Sequence, residues 1–153
     1  ARPNRRYRDI YLPSLQDDDN GLEHLMYFLD VSGSVSDGEV VRFNSEVKYI
    51  KDTFQPKLLT LVLFDACIQR VYQFHEEDPF EEVIIVGRGG TNLAPVREYM
   101  LEHMPTAAII FSDLQCSKMQ PLPDGVNIPT IWVGVNANPN SGVNFGKLIH
   151  IRE

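Results

Sequence analysis

Residues 24 to 30, His24-Leu25-Met26-Tyr27-Phe28-Leu29-Asp30, form an apolar run too short for a helix and closed by Gly33, as expected of a strand buried on both faces. Behind it, Ser36-Asp37-Gly38-Glu39 matches a capping box, in which the Ser36 hydroxyl and the Glu39 carboxylate each satisfy a free backbone N–H, so a helix is expected to start there. Val40, Phe43, Val47, Ile50 and Phe54 follow at spacings of three and four and make one apolar stripe, which Pro56 closes. Leu58 to Phe64 and Ile68 to Phe74 are β-rich and separated by Asp65-Ala66-Cys67, close enough for a hairpin and hence for one antiparallel edge strand. Val83 to Val86 reads as a short strand or an extended approach to Gly87, Gly89 and Gly90. A second helix should start after Thr91 or Asn92, either of which can cap it, with Pro95 in the first turn and Leu93, Val96, Met100 and Met104 as its inner stripe. Ala107 to Phe111 and Ile128 to Val135 are further buried strands, and Phe145 to Ile151 supplies the last element. Apolar strands alternating with amphipathic helices predict a doubly wound α/β fold, with helices on both faces of a mostly parallel sheet.

At 153 residues the chain is long enough for one domain whose core needs neither disulfide staples nor a structural zinc. Hydrophobic residues make up 43% and charged residues 23%, which excludes disorder as the main state. No apolar run approaches the roughly 20 residues of a membrane helix. Cys67 and Cys116 are isolated, and two cysteines are too few for a secreted disulfide framework, so a reducing, cytoplasmic setting is expected. A net charge of −7 argues against a general nucleic-acid binder. Arg2, Arg5, Arg6 and Arg8 are the local exception, followed at once by Asp17, Asp18 and Asp19. This stretch has no apolar segment behind its charges, so it does not read as a secretory signal, and the chain does not begin with Met. Residues 1–21 read as an N-terminal arm or linker within a longer protein, and residues 22–153 as the domain.

In doubly wound folds ligands sit beyond the carboxyl ends of the strands, and polar residues gather there in this sequence. Asp30-Val31-Ser32-Gly33-Ser34 follows the first strand, with Gly33 allowing a turn tight enough for Ser32 and Ser34 to converge. Thr91 follows Gly89-Gly90 at the head of the second helix, and Asp113 follows the strand ending at Phe111-Ser112. Two carboxylates and three hydroxyls, with little nitrogen or sulfur nearby, suit Mg2+ or Mn2+ far better than zinc.

Asp30-x-Ser32-x-Ser34, Thr91 at 57 residues beyond Ser34 and Asp113 at 22 beyond Thr91 resemble the metal-ion-dependent adhesion site (MIDAS) of von Willebrand factor A (VWA) domains. The resemblance runs from about residue 22 to the end, and includes Gly89-Gly90-Thr91-Asn92 before a helix and Ile131-Trp132-Val133 as a late strand. It points to the VWA-like domains at the C-terminus of metallopeptidase-like proteins, some of them associated with AAA+ ATPases. The resemblance implies a Rossmann-like three-layer α/β/α sandwich. It implies that Ser32 and Ser34 bind the metal directly, that Thr91 does so in one of two states, and that Asp30 and Asp113 act directly or through water. It also implies a vacant metal position that an Asp or Glu of a protein partner fills. Pro121, Pro123 and Gly125 depart from the pattern, so a shortened helix or a loop is expected between Asp113 and Ile128.

Other chemistries find little support. Gly87-Arg88-Gly89-Gly90 lacks the lysine of a phosphate loop, and Val31-Ser32-Gly33-Ser34-Val35 is not a nucleophile elbow. His75-Glu76-Glu77-Asp78-Pro79 has proline where a zinc peptidase needs its second histidine. His24, His103 and His150 stand alone in the sequence and read as surface residues, and Glu76 to Glu82 as a solvated acidic loop. The expected function is a divalent-metal-dependent protein-binding module. The alternative is a Mg2+-dependent hydrolase or phosphoryl-transfer enzyme using the same five residues, since a metal at such a rim can clamp a phosphate oxygen.

Overall fold

The computed structural model describes residues 23–31, 37–79, 90–135 and 137–151. In chain order the elements are β1 (His24–Asp30), α1 (Asp37–Phe54), β2 (Leu58–Phe64), β3 (Ile68–His75), α2 (Ala94–His103), β4 (Ala107–Ser112), β5 (Thr130–Val135) and β6 (Lys147–Ile151). The strands form one sheet in the order β3-β2-β1-β4-β5-β6. β2 and β3 pair antiparallel, as a hairpin requires, and every other neighbouring pair is parallel.

The apolar run of β1 is continuous because both sides of the strand are covered. Leu25 and Tyr27 point into a core shared with Phe43, Val47 and Ile50 of α1. Met26 and Phe28, one residue out of phase, enter a second core with Val96 and Met100 of α2. Two cores on opposite faces of one sheet make the three layers, and each fully buried side chain of this size contributes about 2 kcal/mol of transfer free energy. Tyr27 anchors the first core. Its ring stacks on Phe111 at 4.8 Å and meets Phe43 edge-on at 5.6 Å.

α2 differs from its expected form at both ends. Leu93 occupies the N-cap position and its apolar side chain makes no cap hydrogen bond. Asn92 Oδ1 instead accepts the N–H of Ala94, the first helical residue, at 3.0 Å, while the Thr91 hydroxyl is engaged by Asp30. Met104 is not part of the inner stripe: it caps the helix in the left-handed region at φ 45° and is 53% exposed. The helix therefore stops at His103.

β5 and β6 begin two residues later than expected, at Thr130 and Lys147. Between β4 and β5 the chain is an irregular loop, as its prolines and glycine predict. Met119 and Ile128 give that loop its own anchors in the second core. Arg97 of α2 straps it down by donating from Nε and Nη2 to the carbonyls of Gln120 and Pro121 at 2.8 to 3.2 Å.

His24 is not the surface group the sequence suggests, whereas His103 is exposed in the last turn of α2, as expected. His24 is half-buried, its Nε2 is 2.7 Å from Thr60 Oγ1, and its backbone N–H donates to Thr106 Oγ1. His103 stacks on Tyr99 at 4.1 Å. Burial first, and the neighbouring charge of His103 second, hold the His24 imidazole below its usual pKa. Ser36 of the capping box, Val83 to Val86, Gly87, Gly89 and the arm at 1–21 lie outside the described residues. Among the described residues, no helix is long and apolar enough to cross a membrane.

Candidate functional site

The strand order reverses between β1 and β4: from β1 the chain builds outward through β2 and β3, and from β4 it builds the other way through β5 and β6. Such a switch point leaves a crevice beyond the carboxyl ends of its two central strands, since the connections run off in opposite directions. Asp30 is the last residue of β1 and Ser112 the last of β4. Leu29 and Phe111 are register partners, so these two polar residues come level at the same rim.

There the Asp30 carboxylate collects hydroxyls from two distant segments. Ser112 Oγ donates to Asp30 Oδ2 at 2.7 Å. Thr91 Oγ1, carried in from the approach to α2, lies 3.1 Å from Oδ2 and 3.3 Å from Oδ1. Ser112 also accepts the N–H of Leu114 at 3.0 Å, and Asp113 Oδ1 accepts that of Gln115 at 3.0 Å. These two local bonds turn the chain off the sheet, with Leu114 taking a φ of 61°.

Asp113 and Asp30 act on the same neighbour. The Cys116 thiol is pushed up to about 11, by burial above all and then by the negative charges of Asp30 and Asp113. Of the five residues picked out in sequence, Asp30 and Thr91 are thus in direct contact, and Asp113 sends its field to the same sulfur as Asp30. Ser32 and Ser34 lie outside the described residues.

The donor chemistry limits which cation could be held. Among the described residues, no three His, Cys, Asp or Glu side chains group so as to hold a metal ion. The hydroxyl oxygens gathered at this rim are the further side-chain donors open to a cation beside Asp30. The Thr91 hydroxyl suits that role, because giving its hydrogen to Asp30 leaves oxygen lone pairs available while the carboxylate makes that oxygen more electron-rich. Carboxylate and hydroxyl donors without imidazole fit a hard cation such as Mg2+ or Mn2+.

Sequence reasoning missed Ser112, which is 3% exposed and holds Asp30 from the adjacent strand. Its one signal was a hydroxyl ending an otherwise apolar strand, next to an aspartate already singled out. Asn92, the residue after Thr91, contributes through its backbone N–H, which donates to the carbonyl of Asp65 just after β2.

With this geometry in hand, the comparison with protein families is specific. A family model described as VWA-like domain (DUF2201) matches residues 25–152, and the chain belongs to that family. No curated protein matches it.

Proposed function

We propose that this VWA-like domain is a divalent-cation-dependent protein-binding module that takes Mg2+ or Mn2+ at the end of β1 and captures an Asp or Glu carboxylate of a partner protein. The observation that carries this reading is the Asp30 carboxylate at the switch point, accepting hydroxyls from Thr91 and Ser112. Thr91 would hold the cation through Oγ1, with Ser32 and Ser34 completing the hydroxyl set and Asp113 the second carboxylate. A bound cation supplies local positive charge on a chain of net charge −7, and that charge is what attracts a partner's carboxylate. The protein's own groups do the positioning: Asp30 orients the Thr91 oxygen, and Ser112 keeps Asp30 in one rotamer.

The same reading treats the domain as the recognition part of a larger metallopeptidase-like protein in the cytoplasm, with an AAA+ ATPase as candidate partner. Isothermal titration of the native protein and of Asp30→Ala with MgCl2 and MnCl2 tests the proposal. Saturable heat in the native form, lost in a folded Asp30→Ala, is the expected result. No saturable heat with either metal in the native form would overturn it.

A further inference from the structure

The turn between β2 and β3 carries an irregularity beside the rim. Leu63 pairs with Arg70 but Phe64 pairs with Ile68, so Gln69 is an extra residue bulged out of the hairpin. A bulge breaks strict alternation and re-aims a side chain, and bulges concentrate beside functional sites. Here the re-aimed side chain finds a carboxylate: Gln69 Nε2 donates to Asp65 Oδ1 at 2.8 Å.

Asp65 directly follows β2 and is 3% exposed. The same Oδ1 accepts the N–H of Cys67 at 3.2 Å, and the Asp65 N–H donates to the Cys67 carbonyl at 3.0 Å. Asp65 is therefore held by both Gln69 and Cys67. Its carbonyl accepts the N–H of Asn92 at 3.0 Å, and Asn92 is the residue next to Thr91. β2 is in turn tied to β1 beside the site, where the N–H of Val31 donates to the Phe64 carbonyl at 2.8 Å. A line of hydrogen bonds thus runs from Gln69 through Asp65 to Asn92, ending where the Thr91 hydroxyl meets Asp30.

We infer that Asp65 and Gln69 are positioning residues for Thr91: the locked turn fixes the Asp65 carbonyl, the carbonyl fixes the backbone at Asn92, and this places Thr91 Oγ1 on Asp30. The consequence for cation affinity rests on the proposed metal function, whereas the positioning itself does not. Neither residue needs to touch a cation. Partners that orient metal ligands typically change affinity by about 10- to 100-fold when removed, and an effect relayed through backbone belongs at the lower end.

The test uses the whole chain with Gln69→Ala, Asp65→Ala and Asp65→Asn, the last retaining an acceptor oxygen for Cys67 and Gln69. Two quantities are read: the Kd for Mg2+ by titration, and hydrogen exchange of the Asn92 amide in metal-free protein. Gln69→Ala and Asp65→Ala are expected to weaken Mg2+ binding roughly tenfold and to speed Asn92 exchange, with Asp65→Asn restoring both toward native values. Unchanged Mg2+ affinity and unchanged Asn92 exchange in the folded alanine variants would overturn the inference, as would faster exchange throughout the domain without a selective effect at Asn92. Should Asp65→Ala fail to fold, Gln69→Ala decides, because its side chain is exposed. If the native protein binds no Mg2+, the metal function fails by itself. Positioning is then judged from Asn92 exchange and a crystal structure of Gln69→Ala: Thr91 displaced from Asp30 supports it, and a contact kept at 3.1 Å refutes it.

Discussion

Replacing Ser112 by alanine removes one oxygen from the rim and almost no volume, so its cost reports on hydrogen bonding. Two bonds are lost. One is the 2.7 Å donation to the Asp30 carboxylate, and bonds to charged groups are worth about 1.5–3 kcal/mol net. The other is the 3.0 Å bond from the N–H of Leu114, a neutral pair worth about 0.5–1.5 kcal/mol. Asp30 is only partly buried and keeps Thr91 as a donor, so water can compensate in part and the low end of the combined range applies. The expected loss is about 2 kcal/mol, which for a domain of this size lowers Tm by about 4–8 °C. In urea the midpoint should fall with the slope m unchanged, since the surface exposed on unfolding is the same. A double-mutant cycle with Asp30→Ala isolates the pair: in that background Ser112→Ala should cost clearly less, leaving a coupling energy of at least about 1 kcal/mol. Equal cost in both backgrounds would refute the argument, because Ser112 would then be acting through something other than Asp30.

Three further outcomes are expected. Gly146 has φ 79°, and a Cβ there would lie 2.6 Å from the Thr130 carbonyl and 3.2 Å from the Trp132 ring, whereas Gly125 at φ 84° has open space around it. Gly146→Ala should therefore cost about 2–4 kcal/mol and Gly125→Ala only about 1–2 kcal/mol in thermal melts, and equal losses would sink the steric account. The folded-state pKa of His24 lies below its ordinary 6.5, so as pH falls the unfolded chain takes up this proton first. Its contribution to stability should be intact above pH 6.5, decline as pH drops through that value toward the folded pKa, and level off below it; His24→Gln should flatten this part of a stability profile measured from pH 8 to 5. With its pKa raised to about 11, Cys116 should react with iodoacetamide at pH 8 far more slowly than exposed Cys67, and labelling followed by mass spectrometry should show two phases with Cys67 first.

Much of the fold could be read locally because strand and helix leave different periods in a sequence. The run of β1 and the stripe of Phe43, Val47 and Ile50 were legible for that reason, as was the hairpin across Asp65-Ala66-Cys67. Met104 misled because it keeps the helical spacing after the backbone has left the helix, and periodicity carries no record of a left-handed φ. Asp30, Thr91 and Asp113 could be singled out because each is a polar residue where a regular element ends or begins, and an α/β fold brings such ends to one rim.

The sequence by itself determined the kinds of element, their succession and the polar residues at their ends, since these depend on contacts within a few residues along the chain. Only the tertiary structure decided the strand order and register, and with them which ends meet. Asp30 and Ser112 are 82 residues apart in sequence and are joined because β1 and β4 pair in parallel with Leu29 opposite Phe111. The bulge that turns Gln69 onto Asp65 is likewise a consequence of register and packing. A hydrogen bond across a sheet depends on alignment to within a single residue, because slipping one strand by one position sends its side chains to the opposite face.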